Sequence, residues 1–370
     1  MSPARNPLLR LGELGQSIWY DYITRELLLS GELARLIRED GLRGMTSNPT
    51  IFEKAIAGSR LYDDDIRRLN ERSPGPGEIF EALAVTDVRA ACDAFAPLYQ
   101  HTGGRDGYVS LEVSPSLAHD TEATVHEASR LWNAVARPNA MIKIPGTRAG
   151  LAAIRESIAA GINVNVTLLF SIQRYGEVID AFLAGLERRI EQRMDVASIA
   201  SVASFFVSRV DGKIDPLLDA ASAGARLRGK IAIANAALAY QLFRRTLDEE
   251  RWERLSRAGA KPQRPLWAST STKDPAYPDV YYVEALVAPD TVNTVPPETL
   301  DAYRDHGDPE VRIEEAIRDA PRHLADLERT GIDIDAVTRE LEDEGVAKFA
   351  GSYRSLLSGI EGKVGALAAR

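Results

Sequence analysis

The sequence predicts an α/β protein: a (β/α)8 TIM barrel with additional C-terminal helices. Three observations predict it. Eight short apolar runs lie between residues 17 and 295, each separated from the next by helical sequence. The runs are almost continuously apolar, as strands covered on both faces must be. Regular alternation of strand and helix implies a parallel sheet, and eight units favour a closed barrel over an open doubly wound sheet. A nucleotide-binding sheet is further disfavoured, because no Gly-x-Gly-x-x-Gly follows a strand and no P-loop pattern occurs. At 370 residues the chain suits one barrel domain over 1–370. Within it, 1–16 is a lead-in with a short helix and 298–370 a charged helical extension expected to pack on the barrel's outside.

The elements follow in order. Residues 17–21 are a compact apolar burst ending in Asp21. Thr24 is placed to cap a helix over 25–40, whose Leu27, Leu28, Leu33, Leu36 and Ile37 form an apolar side; Gly41 stops it. Residues 42–48 read as a short strand running into the Asn48-Pro49 loop. Helices over 49–57 and 60–72, a break at 73–77 and a helix over 78–102 come next. Then the period changes. Strands over 107–113, 139–146, 162–170 and 199–206 alternate with helices over 118–136, 148–160 and 171–192. A helical tract over 212–257, alanine-rich at 230–246, leads to strands over 265–270 and 290–295.

Composition narrows the function. A net charge of −9 and a pI near 5.3 argue against nucleic acid as a partner. They do not exclude an anionic small molecule, because a local arginine or lysine can hold a phosphate on an acidic protein. The single cysteine, Cys92, allows neither an intrachain disulfide nor a cysteine metal cluster, and a reducing compartment is the simple reading. No signal-peptide pattern or membrane-spanning run is visible, so a cytoplasmic protein without membrane contact is expected. The five histidines are scattered, with no His-x-x-x-His spacing, and no metal is expected. Monomer and homodimer are both open.

Lys143 stands out. It lies in the apolar run Met141-Ile142-Lys143-Ile144, closed by Pro145-Gly146. Burying an unpaired ammonium is costly. Burial favours the neutral amine, and a neutral lysine is a nucleophile. The alternatives are a lysine that reaches solvent at the strand end or pairs with a buried carboxylate. In a barrel the C-terminal strand ends share one face, where active sites lie. That face would collect Asp21, Thr46, Asn48, Glu112, Lys143, Asn165, Thr167, Ser204, Ser269 and Thr270. Each has an ordinary use as well. Asp21 could be a helix cap in competition with Thr24, Asn48-Pro49 a turn, and Glu112 the structural partner of Lys143. Asn165 and Thr167 could satisfy buried backbone. Together, at successive strand ends, they read as a lysine-amine site.

These residues also carry a resemblance. Thr46-Ser47-Asn48-Pro49-Thr50 resembles the transaldolase family's Thr-x-Asn-Pro-[Ser/Thr] signature, and Ile142-Lys143-Ile144-Pro145 resembles its Schiff-base lysine segment. Residues 109–113, 161–170 and 202–209 resemble its third, fifth and sixth strands, the last ending in a phosphate arginine, Arg209. The matches run from about 17 to 297 in family order. The resemblance implies transfer of a dihydroxyacetone unit from sedoheptulose 7-phosphate to glyceraldehyde 3-phosphate, in the pentose phosphate pathway and without a cofactor. It implies Lys143 as Schiff-base lysine, Glu112 as acid/base through a water held by Thr167, and Asp21 as the base at the C4 hydroxyl. Asn48, Asn165 and Ser204 would hold substrate hydroxyls and Arg209 the phosphate, unless Arg209 is merely paired with Asp211. One departure is the seventh strand. Many relatives read Ala-Ser-x-Arg there; this chain reads Ala268-Ser269-Thr270-Ser271-Thr272-Lys273, which leaves Ser269, Ser271 and Lys273 as phosphate candidates. Fructose-6-phosphate aldolases tend to carry tyrosine where this chain has Phe206, and phenylalanine offers no proton for releasing free dihydroxyacetone. The rivals are such a lyase and a catalytically silent sugar-phosphate-binding barrel.

Overall fold

The computed structural model describes residues 6–72, 74–221 and 226–368. Residues 1–5 of the lead-in, Ser73 of the break, 222–225 of the helical tract and 369–370 of the extension lie outside the described residues. Eight parallel strands close a barrel in sequence order: β1 (Gln16–Asp21), β2 (Gly44–Thr46), β3 (Tyr108–Glu112), β4 (Ala140–Pro145), β5 (Val164–Leu169), β6 (Ser201–Phe206), β7 (Arg264–Ala268) and β8 (Thr291–Val295), with β8 pairing back onto β1. Each of the eight expected runs carries one strand.

The helices in chain order are α1 (Pro7–Glu13), α2 (Arg25–Leu29), α3 (Glu32–Glu39), α4 (Pro49–Ala57), α5 (Asp63–Asn70), α6 (Pro76–His101), α7 (Thr121–Val135), α8 (Arg148–Ala160) and α9 (Ile172–Glu191). They continue with α10 (Ser208–Ala220), α11 (Ile231–Leu247), α12 (Glu250–Arg257), α13 (Tyr281–Ala285), α14 (Pro297–His306), α15 (Ile313–Arg329) and α16 (Ile334–Ala368). Two helix boundaries are corrected. The helix over 25–40 is two helices, because Gly31 takes a φ of +83° and turns the chain between them. The tract over 212–257 is three helices, and the first begins at Ser208, so Arg209 lies in a helical first turn rather than at a strand exit. Thr24 is the cap of α2: its hydroxyl accepts from the Leu27 amide at 3.1 Å, which frees Asp21 from that role.

Two glycines set the barrel's geometry. At Gly44 an added Cβ would lie 2.5 Å from the Trp19 ring, so β2 needs glycine for the fully buried Trp19 to fill the barrel beside it. At Gly146 a Cβ would lie 2.4 Å from Leu169, so the turn that closes β4 packs directly on β5. The β5–β6 register shifts between Val166 and Leu169, and Leu168 takes a φ of +61° there. This bulge bends the end of β5 at the site's edge.

The N-terminal end of the barrel holds a buried ion cluster. Arg264 donates to Asp106 at 3.0 Å, to the Ser17 hydroxyl at 2.9 Å and to the Arg105 carbonyl at 2.7 Å. Asp106 also accepts from Ser17 at 2.6 Å and from Arg43 at 3.2 Å. Of the extension, α14 packs on α1 and α15 on α11. The last helix departs from the expected outside placement. It contacts α4, α5, α6, α10 and the end of β5, and so crosses the C-terminal mouth of the barrel. Gly345 allows this, since a Cβ there would come within 2.9 Å of Leu168. Among the described residues no helix is long and apolar enough to cross a membrane.

Candidate active site

Strand register gathers the site. Glu112 on β3 is the register partner of Lys143 on β4, which is the partner of Asn165 on β5; Asp21 on β1 is the partner of Thr46 on β2. Register partners in parallel strands point to the same side of the sheet, here into the barrel near its C-terminal end. The mouth above them is a cavity of about 610 Å³, a size suited to a small ligand.

Lys143 is 4% exposed. Its Nζ lies 3.3 Å from Glu112 Oε2 and donates to the Ser47 carbonyl at 3.3 Å. The ring of Phe349, from α16, covers it with the centroid 5.6 Å away. Neither oxygen of Glu112 has a hydrogen bond among the described residues, and the same holds for the Thr167 hydroxyl. The approach of Glu112 to Lys143 is thus an ion-pair contact, not an aligned hydrogen bond. Burial pushes the Glu112 carboxyl above its ordinary range, with Lys143 pulling the other way. Asp21 is also pushed up by burial, against Lys143 and a 2.7 Å hydrogen bond from Thr46. Desolvated carboxyls of this kind hold and release protons nearer neutral pH than free ones.

The structure brings most of the expected residues to the cavity wall: Asp21, Asn48, Lys143, Thr167, Ser204, Phe206, Arg209, Ser269 and Lys273. Asn48 combines both of its expected uses. Its side chain caps α4 by accepting from the Ile51 amide at 3.0 Å, and it lines the cavity as well. Two residues stand behind the wall. Glu112 sits beside Lys143, while Asn165 is fully buried, donating to Ser110 at 3.0 Å and accepting from Ser204 at 2.7 Å. Thr270 turns away and donates to Asn293 at 2.8 Å.

Arg209 is not paired with Asp211. Asp211 accepts instead from the Ala232 amide at 2.7 Å and from Tyr282 at 3.0 Å, and burial pushes it up to about 7. Among the described residues Arg209 has no carboxylate partner; its guanidinium lies over Phe206 at 4.8 Å and near Phe349 at 5.9 Å. It stands in the first turn of α10, whose positive end opens on the mouth, where an anion is favoured. Ser269 shares a 3.0 Å contact with Ser208 at that turn, and Lys273 donates to Ser271 at 2.6 Å.

Sequence reasoning missed Lys54, Lys348 and Phe349, all on the cavity wall. The first is an exposed lysine of α4. The other two are on α16, and nothing in their local pattern marks which surface that helix covers.

The described geometry now has a context among known proteins. Residues 18–360 match the family model "Transaldolase/Fructose-6-phosphate aldolase". The chain is 49% identical over 374 residues to "Transaldolase 2" of Nostoc sp., with 98% of each covered. It is 50% identical over 367 residues to the "Transaldolase" of Parafrankia sp., covering 98% of this chain and 99% of the relative. Against the "Transaldolase" of Acidothermus cellulolyticus it is 51% identical over 360 residues, with 96% of each covered. The chain belongs to the transaldolase/fructose-6-phosphate aldolase family.

Proposed function

We infer that the chain is a transaldolase, which moves a dihydroxyacetone unit from sedoheptulose 7-phosphate to glyceraldehyde 3-phosphate and yields erythrose 4-phosphate and fructose 6-phosphate. Near-full-length relatives bearing that name support the reading. The observation that carries it is the buried lysine at the floor of a cavity whose far wall is cationic.

The Lys143 amine adds to the C2 ketone of the donor, water leaves, and an iminium forms. Asp21 takes the C4 hydroxyl proton. The C3–C4 bond breaks, its electron pair moves into the iminium to give an enamine, and the aldehyde product leaves. The acceptor aldehyde then adds at C3, Asp21 returns its proton to the new hydroxyl, and hydrolysis frees Lys143. Glu112 moves protons in imine formation and hydrolysis through a water held by Thr167; both side chains have hydrogen-bonding capacity unused by the protein. Asn48 and Ser204 hold hydroxyls of the C3 unit, and Asn165 fixes Ser204 from behind. Arg209, Ser269 and Lys273 receive the phosphate. Phosphorylated sugars as substrates suit a cytoplasmic enzyme.

A second reading, a lyase that releases dihydroxyacetone, is disfavoured by Phe206. Its ring packs on Phe170 at 5.2 Å and under Arg209, and offers no proton to the enamine. A silent sugar-phosphate binder is disfavoured because Lys143, Asp21 and Glu112 are all present.

Borohydride reduction in the presence of fructose 6-phosphate, followed by peptide mapping, should place a C3 adduct on Lys143 that Lys143→Ala lacks. A folded enzyme with no adduct there would sink the mechanism. Free dihydroxyacetone in the absence of an acceptor would turn the reading to the lyase.

A further inference from the structure

Resting on that reading, we propose that α16 completes the phosphate site: Lys348 supplies a further cation that binds the sugar's terminal phosphomonoester together with Arg209 and Lys273. A phosphate monoester carries close to two negative charges at neutral pH, and Arg209 supplies one positive charge. Lys348 borders the mouth with Arg209 and Lys273, and it also borders the adjoining hollow lined by Arg209, Ser269 and Lys273.

Its place is fixed from several sides. Its neighbour Phe349 sits between Lys143 and Arg209, at 5.6 Å and 5.9 Å. One turn earlier Gly345 lies directly on Leu168. Lys213 of α10 donates to Glu340 and Glu344 of α16, at 2.7 Å each, which ties the helix bearing Lys348 to the helix bearing Arg209. Those exposed ion pairs add little energy singly, but they set the register of the two helices. Lys213 and Lys363 each have a carboxylate partner; among the described residues Lys348 has none. Arg209 first, then burial, then Lys273 and Lys54 hold its ammonium below the ordinary lysine range. Four cations around one wall repel each other, and a dianion between them relieves that repulsion. α16 thereby serves phosphate recognition as well as covering the lysine.

Kinetics and binding test this. In Lys348→Gln, KM for glyceraldehyde 3-phosphate should rise about tenfold with kcat nearly unchanged, while KM for unphosphorylated glyceraldehyde stays put. Binding of inorganic phosphate, read by calorimetry without any turnover, should weaken about tenfold as well. Arg354→Gln, which removes the same charge from an exposed position of the same helix that lines neither the mouth nor the adjoining hollow, should change neither. Equal effects from the two variants, an equal KM rise for both acceptors, or undiminished phosphate binding would overturn the proposal. Borohydride trapping with dihydroxyacetone, which has no phosphate, separates the outcomes. An adduct on Lys143 beside undiminished phosphate binding rejects Lys348 alone, and a missing adduct rejects the transaldolase reading on its own.

Discussion

The barrel holds a buried charge cluster at each end, and the two differ in how fully they are bonded. At the N-terminal end Asp106 accepts three side-chain hydrogen bonds, from Ser17, Arg43 and Arg264, and Arg264 has three acceptors. At the C-terminal end Glu112 accepts none among the described residues and touches Lys143 as an ion pair. Both clusters bear the cost of removing charge from water. The first offsets it with a full set of hydrogen bonds, the second only in part, through the Lys143–Glu112 ion pair and the Lys143 bond to the Ser47 carbonyl. Groups that a fold leaves unsatisfied in its interior are available to something else, and in a barrel that something reaches the C-terminal face. The difference teaches that a buried Lys–Glu pair is read correctly only with its hydrogen bonds counted.

Three substitutions sharpen or break that comparison. The largest effect is expected at the satisfied end. Arg264→Met leaves Asp106 with Ser17 and Arg43 alone, and urea unfolding should show a loss of about 3 kcal/mol or more, while kcat per folded molecule changes by less than about twofold. A collapse of kcat at native stability would erase the division between the ends. At the other end Glu112→Gln should slow turnover about a hundredfold or more, as expected when an acid/base group is lost. It should lower stability by less than Arg264→Met does, because only the ion pair with Lys143, and no array of hydrogen bonds, is lost with it. A stability loss as large as that of Arg264→Met, with turnover kept, would make Glu112 structural.

The smallest effect concerns Asp211, on the flank, which is fully bonded yet pushed up to about 7 by burial. Its folded value lies above the unfolded one of about 3.9. The stability it contributes is therefore full below about pH 4 and is lost as pH rises through about 7. Asp211→Asn stays neutral and should gain on the parent between pH 5 and 8, by about 2–4 °C in Tm difference. A difference that stays flat with pH would contradict this.

Much of this was legible in the sequence. Eight apolar runs separated by helices are a pattern that a parallel barrel explains, and each run carries a strand. Asp21, Lys143, Thr167 and Ser204 were legible because topology alone brings strand ends together. Other features were not. The split of 25–40 depends on the left-handed backbone at Gly31, and a glycine in a helical pattern has other uses. Asn165 was expected on the wall, but side-chain depth is set by bonds to Ser110 and Ser204 that come from other strands. Hardest was α16. Periodicity shows that a helix has a buried face and says nothing about which distant surface it meets, so Lys348 and Phe349 had no local signal.

The order of the chain gives α16 a further meaning. Synthesis runs from the N-terminus, and domains begin to form as the chain emerges. Once β8 has left the ribosome, the lysine, both carboxylates and the arginine have all been made, but the helix that covers them has not. The nascent barrel carries its buried lysine before it carries the roof, and Gly345 is the point at which the roof is set down.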